Sequence, residues 1–320
     1  MFLYLRRSSE FRLAFCAIGI FFFHFYFGVL QEKITRGIYA EKGQTPERFQ
    51  YTMALVFVLC AANVCYATLI SALVLKEGRD ETNSYDCALT SLIYLVAKLA
   101  SNTALKWVEY PRQVIFKSCK PIPVLIFGVL IGRKKYSIIK YLCVLTIVIG
   151  IALFMYKDGS TAKNPEICNV IGVGEILLFV SLTCNGVQGG LQERMKAKYK
   201  IKSGHLMKET NKWAMIYLVF GLIWSGELWE FISFVLRHPS IIWHLVSASL
   251  ANAIGEYFIF VCIYEFGSLT CTIITTFRKF LTILGSVILF DNHLTERQWV
   301  GSFLVFTGLI LDRLFGKSNA

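Results

Sequence analysis

Long apolar stretches of about twenty residues recur along the whole chain and are separated by short polar connections. A helix of about that length spans the hydrocarbon core of a bilayer. The pattern therefore predicts ten transmembrane helices near 11–30, 52–75, 87–107, 113–131, 138–156, 168–189, 213–236, 240–263, 269–290 and 297–315. The predicted fold class is all-α: a polytopic membrane protein with one transmembrane domain over residues 1–320.

Composition supports a membrane protein. The chain has 320 residues, of which 55% are hydrophobic and only 17% are charged. A water-soluble fold cannot hide that much apolar surface. The ten cysteines lie mostly inside apolar runs and form no CxxC pair, so we expect packing residues and neither a metal site nor a cofactor. The first apolar run has the length of a membrane span and no signal-peptide cleavage pattern after it, which predicts a retained first helix.

Lysine and arginine residues concentrate in the connections on the side of the two termini. The densest group is Arg194, Lys196, Lys198, Lys200, Lys202, Lys208 and Lys212. Because basic connections stay in the cytosol, both termini are predicted to be cytosolic. An inositol-lipid or nucleic-acid patch is the alternative reading of this basic run, and no nucleic-acid partner is expected.

A weak internal repeat appears when the chain is aligned with itself at an offset of 158 residues. Gly150 then lies over Gly308, and Lys120 lies over Arg278. The two halves, at about 11–156 and 168–315, each contain five predicted helices. An odd number of helices gives the halves opposite orientations, which is the inverted-repeat plan of many secondary transporters.

Two cations lie inside the fourth predicted span. Lys117 and Lys120 share one helix face in an otherwise apolar window. Each costs at least ~2.5–3.5 kcal/mol at the centre of a membrane helix, so both need a water-filled cavity or partners. Snorkelling to the interface is the alternative. Pro121 and Pro123 follow directly and predict a bend just beyond the cations.

The ninth predicted span carries a second cationic pair, Arg278 and Lys279, preceded by threonines that include Thr275. The guanidinium fork suits phosphate oxygens, and the ammonium group supplies a mobile point charge. Adjacent side chains point in different directions on a helix, so the pair favours an extended anion. Pairing with Glu256 or Glu265 is the alternative.

The sequence contains no GxxxxGK[ST], HExxH or GxSxG motif, and its five histidines are scattered. These absences argue against a nucleotide hydrolase and against a metalloenzyme, and we expect a protein that is not an enzyme. A non-transporting membrane scaffold, a lipid-modifying membrane enzyme and an anion channel stay open as alternatives to an anion carrier.

Three separated segments resemble the nucleotide-sugar transporter family of the drug/metabolite transporter superfamily. They are GVLQEKITRG at 28–37, YPRQVIFKSCKPIP at 110–123 and LTCTIITTFRKF at 269–280. They look like the UDP-galactose-transporter-related branch, which includes the endoplasmic reticulum ATP/ADP exchanger. The likeness runs from about residue 11 to residue 316.

The resemblance implies a ten-helix fold and antiport of a nucleotide or nucleotide sugar. The cargo is either ATP exchanged for ADP, or a nucleotide sugar, UDP-galactose or UDP-glucose. It assigns the phosphate contacts to Lys117, Lys120, Arg278 and Lys279. Further candidate substrate contacts are Glu32, Gln113, Tyr110 and Thr275. The implied location is the endoplasmic reticulum membrane, with the Golgi membrane as the alternative. The chain ends GKSNA without a dilysine retrieval signal, so this location comes from the resemblance alone.

Overall fold

The computed structural model of the protein describes residues 8–39, 47–75, 83–104, 107–108, 113, 116–155, 172–199, 202–289 and 296–315. These residues are almost entirely helical, which confirms the all-α fold class. The helices are α1 (Ser9–Arg36), α2 (Thr52–Leu69), α3 (Ser84–Ala104), α4 (Pro121–Leu130), α5 (Ile138–Met155), α6 (Val173–Tyr199), α7 (Ser203–Ser225), α8 (Glu227–Arg237), α9 (Ile241–Phe266), α10 (Ser268–Leu289) and α11 (Glu296–Phe315).

Two small elements accompany these helices. A π-helical segment, Ile70–Leu75, continues α2. Strands β1 (Ile38–Tyr39) and β2 (Glu47–Arg48) form a short antiparallel pair after α1, with Tyr39 opposite Glu47. They connect α1 to α2 and do not alter the fold class.

Several helices match the requirements of a membrane span. Within the described part of the chain, Ser9–Thr35, Thr52–Ala72 and Ile241–Phe266 are long and apolar enough to cross a bilayer. Pro121–Leu130 and Ile138–Phe154 are apolar but shorter. Each predicted window overlaps a helix, while the total of ten spans stays a prediction.

The window 213–236 is not the single straight helix that its hydropathy predicts. It breaks at Gly226, where α7 and α8 meet at 88°. Gly226 has φ 75° and ψ −7°, a left-handed conformation that glycine adopts without a Cβ clash. The Glu227 carboxylate then accepts the Ala54 backbone N–H at 3.0 Å, so the break holds the start of α8 against the start of α2.

The chain divides into two compact units. Unit 1 comprises residues 1–92 and 195–267, and unit 2 comprises residues 93–194 and 268–320. In unit 1, an asparagine ladder joins three helices: Asn252 donates to Asn63 at 3.0 Å, and Asn63 donates to Asn211 at 3.0 Å. All three are buried, and such side-chain hydrogen bonds hold apolar helices in a single register.

Unit 2 depends on close packing between α5 and α11. A Cβ added to Gly150 would lie 2.8 Å from the Gly301 carbonyl oxygen, and one added to Gly308 would lie 2.7 Å from Ile147. An ion pair between Lys140 and Asp312 at 2.6 Å joins the same two helices. In unit 2, the helix of the fifth predicted span thus packs against the helix of the tenth. Helix α4, from the fourth predicted span, packs against α10, from the ninth. The inverted repeat itself stays a prediction.

We expect Gly150→Ala to destabilise the protein although alanine favours helices by about 1 kcal/mol over glycine. The new methyl group meets backbone and Cβ atoms of α11 below 3 Å, and overpacking of this kind costs about 1–3 kcal/mol. The measurement is the temperature at which the detergent-purified protein loses its monodisperse gel-filtration peak. The matched control is Gly28→Ala, because a Cβ there meets nothing within 4 Å. Equal melting of the two variants would contradict this packing account.

Candidate functional site

A cavity of about 210 Å³ lies within unit 2. Its wall is formed by α3, by the turn that precedes α4, by α6 and by α10. Four lysine side chains line it: Lys98, Lys117, Lys120 and Lys279. The cavity therefore brings four lysine side chains of unit 2 together.

The local backbone before α4 explains how Lys117 and Lys120 reach the same cavity. The Cys119 N–H bonds to the Phe116 carbonyl at 3.0 Å, and the Lys120 N–H bonds to the Lys117 carbonyl at 3.4 Å. These bonds to the third preceding residue make a tight turn. Helix α4 then begins at Pro121, where the missing N–H of proline leaves no hydrogen bond unmade. The predicted bend beyond the cations thus corresponds to a turn and a new helix start.

Glycines on α6 bring that helix close to α4. A Cβ added to Gly186 would lie 2.8 Å from the Pro123 Cβ, and one added to Gly190 would lie 2.5 Å from the Phe127 carbonyl oxygen. Small residues let helix backbones approach in this way. The approach places Ser181 and Asn185, which are on the same helix, in the cavity wall.

Hydrogen bonds attach α3 to α6 and to Gln113. The Ser181 hydroxyl donates to the Ala97 carbonyl at 2.7 Å. The Gln113 amide donates to the Ser101 carbonyl at 2.5 Å and approaches the Ser101 hydroxyl at 3.4 Å. Gln113 is 1% exposed, so its amide is used to hold the wall together. Because Ala97 and Ser101 both line the cavity, these bonds hold the face of α3 that carries Lys98.

The described wall of the cavity carries positive charge. No aspartate or glutamate occurs among the described lining residues. Lys117 and Lys279 form no ion pair within the described ranges. Lys98 donates to the Tyr94 hydroxyl at 3.2 Å, which is a neutral acceptor. Ammonium donors in this arrangement suit an anion and repel a metal ion.

The predicted phosphate contacts fall into two groups. Lys117, Lys120 and Lys279 lie together in the cavity wall. Arg278 is not among the described lining residues, although it precedes Lys279 on α10, and its Nε is buried without a hydrogen-bond partner. Their roles toward a substrate stay predictions.

The remaining candidates are dispersed. Glu32 is exposed on α1 in unit 1. Thr275 is partly buried and donates to the Thr272 carbonyl at 3.0 Å. Gln113 supports the wall from behind, and Tyr110 lies outside the described residues. Within unit 2, neither Gln113 nor Thr275 is among the described lining residues of the lysine cavity.

Sequence reasoning did not single out Lys98 as a candidate site residue, although it lies inside the predicted third span. A signal was present, because a lysine retained inside a membrane helix marks a functional candidate in its own right. Tyr94 lies four residues earlier on α3, and the Lys98 ammonium sits 5.4 Å from its ring centroid. That spacing places the pair on one helix face.

One solved structure shares the fold. A crystal structure described only as that of a protein aligns with a TM-score of 0.62, at 11% identity. The alignment covers 94% of this chain and 99% of the solved chain. At this identity the likeness concerns the fold alone.

Comparison with curated sequences is more specific. Solute carrier family 35 member B1 of Xenopus tropicalis is 48% identical over 98% of this chain and 96% of its own. The same protein of Bos taurus is 48% identical over 96% and 94%, and the Drosophila melanogaster homolog is 44% identical over 96% and 91%. The profile of the UAA transporter family matches residues 12–315.

These matches confirm the family resemblance found in the three sequence segments. They extend over nearly the full length of both partners, and the matched region contains all four lysines of the cavity. The chain belongs to the UAA transporter family, a family of polytopic membrane proteins.

Proposed function

We propose that the protein exchanges nucleotides or nucleotide sugars across the endoplasmic reticulum membrane by alternating access, and that the lysine cavity of unit 2 binds their phosphates. The observation that carries this proposal is the convergence of four lysines on one cavity without a carboxylate among its described lining residues. Membership of the UAA transporter family supports transport as the activity. The Golgi membrane is the alternative location, and both termini are proposed to be cytosolic.

The energetics favour an anionic cargo. Each lysine in a membrane helix costs at least ~2.5–3.5 kcal/mol by insertion measurements. A phosphate chain offsets that cost, because charge-assisted hydrogen bonds between ammonium groups and phosphate oxygens are short and strong. A neutral or cationic cargo would not offset this cost. The substrate is therefore an anion with several charges.

The size of the cavity limits which part of the substrate it holds. Pockets that enclose a drug-sized ligand measure roughly 300–1,000 Å³, whereas this cavity measures about 210 Å³. It suits a phosphate chain and not a complete nucleotide. Tyr94 and Phe116 line the same cavity and supply aromatic surface beside the bound chain.

Arg278 is proposed to contact the same anion together with Lys279. Successive residues on an α-helix are rotated by about 100°, so one compact anion does not reach both side chains. A chain of two or three phosphates is long enough to do so. The buried Arg278 Nε without a hydrogen-bond partner would gain an acceptor when the substrate arrives, and an unmade bond of this kind is costly.

Exchange follows from the charge of the empty cavity. Closing a site around several cations without an anion removes them from water at a cost of several kcal/mol for each ion. The empty carrier is therefore held back, and the loaded carrier crosses between its two states. No covalent step is involved, so the proposal describes a transporter and not an enzyme.

We expect purified protein in lipid vesicles to take up labelled nucleotide only when the vesicles are preloaded with nucleotide. The reason is the cost of reorienting the empty cationic cavity. The measurement is the initial uptake rate with and without internal nucleotide, with protein-free vesicles as the control. Equal uptake by empty vesicles would contradict exchange. No uptake under any preload would favour the alternative of a membrane scaffold or lipid-modifying enzyme.

Removal of one of these cations should slow exchange without preventing assembly. We expect Lys117→Ala, Lys120→Ala and Lys279→Ala, and also Arg278→Ala, each to lower the exchange rate by about tenfold or more, since a charged hydrogen bond is worth roughly 1.5–3 kcal/mol. The matched control is Lys202→Ala, which removes an exposed charge from unit 1. Gel filtration verifies that each variant is folded. Wild-type rates in all the cavity variants would refute the assignment of the phosphate site.

The dependence of exchange on membrane potential identifies the substrate pair. Exchange of ATP for ADP moves about one net charge, and a charge crossing 100 mV changes in energy by about 2.3 kcal/mol. We therefore expect a potassium gradient with valinomycin to change this exchange rate several-fold. Exchange of ADP for ADP moves no net charge and is the internal control. A rate of ATP–ADP exchange that ignores the imposed potential would contradict an electrogenic exchange.

A further inference from the structure

We propose that Glu193 positions the phosphate-binding cations of α10 by holding the first residue of that helix. Glu193 lies in the C-terminal part of α6, Ser268 begins α10, and both belong to unit 2. Glu193 is not among the described lining residues of the lysine cavity, so it is a positioning residue that acts through Arg278 and Lys279. This inference rests on the proposed function and extends it to a residue outside the cavity.

A side chain from α6 caps α10. The Ser268 backbone N–H donates to the Glu193 carboxylate, and this hydrogen bond is buried. The first N–H groups of an α-helix have no acceptor within the helix. The residue before Ser268 is Gly267, which has no side chain that could serve as an N-cap. The Glu193 carboxylate therefore takes the place of a local cap, and its negative charge suits the positive end of the helix dipole.

Close packing surrounds this hydrogen bond. A Cβ added to Gly189, one turn before Glu193 on α6, would lie 2.8 Å from the Ser268 hydroxyl oxygen. One added to Gly132 would lie 3.0 Å from the Glu193 Cβ. The absence of side chains at both glycines lets the neighbouring segments approach the carboxylate. The start of α10 is therefore held against α6 by steric contact as well as by a directional bond.

Glu193 has two partners of unequal weight. Its second carboxylate oxygen lies 3.6 Å from the Lys134 ammonium group. The Lys134 side chain is 44% exposed, whereas that of Glu193 is 2% exposed. An ion pair with an exposed partner contributes little, while a charge-assisted hydrogen bond is roughly twice as strong as a neutral one. The bond to Ser268 is thus the stronger link, and it connects Glu193 to α10.

The register of α10 decides which cation faces the cavity. A shift by one residue rotates each position of a helix by about 100° and moves it by about 1.5 Å. Such a shift would turn Lys279 away from the cavity that it lines. Apolar contacts are non-directional, whereas the hydrogen bond at Ser268 requires alignment of donor and acceptor. Glu193 therefore fixes the register of α10 at a point roughly 16 Å along the helix from Lys279.

The test is a double-mutant cycle on nucleotide binding. ADP is titrated calorimetrically into detergent-purified protein, and Glu193→Ala is introduced into three backgrounds. They are the wild type, a variant with both Arg278→Ala and Lys279→Ala, and a matched variant with both Lys117→Ala and Lys120→Ala.

We expect Glu193→Ala to raise the dissociation constant by at least about fivefold in the wild type and in the variant that keeps the α10 cations. In the variant without the α10 cations, the same substitution should raise it by less than about twofold, because residues that act through one another are not additive. The number of ADP molecules bound per protein reports the folded fraction separately from the affinity.

Two further variants are controls. The Glu209 side chain is 13% exposed and lies 2.7 Å from the half-exposed Lys212, so it matches the Glu193 ion pair but belongs to unit 1. Glu209→Ala should leave the dissociation constant as in the wild type. Lys134→Ala removes only the exposed partner of Glu193 and should change the constant by less than about twofold.

Glu193→Gln tests the same assignment if Glu193→Ala does not fold. It keeps the shape of the side chain and an oxygen acceptor for the Ser268 N–H, and it removes the charge. We expect a rise of about two- to threefold in the dissociation constant, because a neutral acceptor forms a weaker hydrogen bond. This rise too should disappear in the background without the α10 cations.

The outcomes separate the two proposals. An equal rise in all three backgrounds would show a general structural role, and an unchanged constant in both Glu193 variants would show that Glu193 does not position the site. Either result overturns this inference and leaves the proposed function standing. Failure of the wild type to bind nucleotide overturns the proposed function and this inference with it.

Discussion

The cost of holding ammonium groups away from water shapes unit 2 more than any other interaction. Lys117, Lys120, Lys279 and Lys98 occupy one cavity, and each is expensive in a membrane helix unless it has water or an anion beside it. A fold that served stability alone would replace them with apolar residues. Their presence indicates that these positions favour anion binding over the stability of the fold.

The structure around the cavity has to be rigid because its lysine side chains carry like charges that repel one another. Rigidity comes from close backbone contact where side chains are smallest, as at Gly186 and Gly190 against α4, and at Gly150 against α11. It also comes from buried hydrogen bonds such as Ser181 to Ala97. In an apolar solvent these contacts replace the hydrophobic driving force that holds soluble cores together. Close packing of α6 against α4 therefore supports one wall of the lysine cavity.

Family membership and site geometry answer different questions. The match to the UAA transporter family over residues 12–315 establishes what kind of protein this is, and a fold by itself does not define a substrate. The cavity adds the chemistry, since it combines several positive charges, no described acidic lining residue and a volume suited to phosphates. Together they lead to nucleotide exchange as the function to test.

Local properties of the sequence determined the helices, because span length and hydropathy depend on consecutive residues only. Helical spacing predicted that Lys117 and Lys120 lie on one side of their segment, and both line the cavity, although they do so from the turn before α4. The break at Gly226 was not evident from hydropathy, since a left-handed glycine interrupts the helix without interrupting the apolar run. Between the adjacent residues Arg278 and Lys279, only packing decided that Lys279 lines the cavity. Lys98 joined the site for the same reason: hydrogen bonds between distant segments bring α3 to the cavity, and spacing along one helix carries no information about such partners.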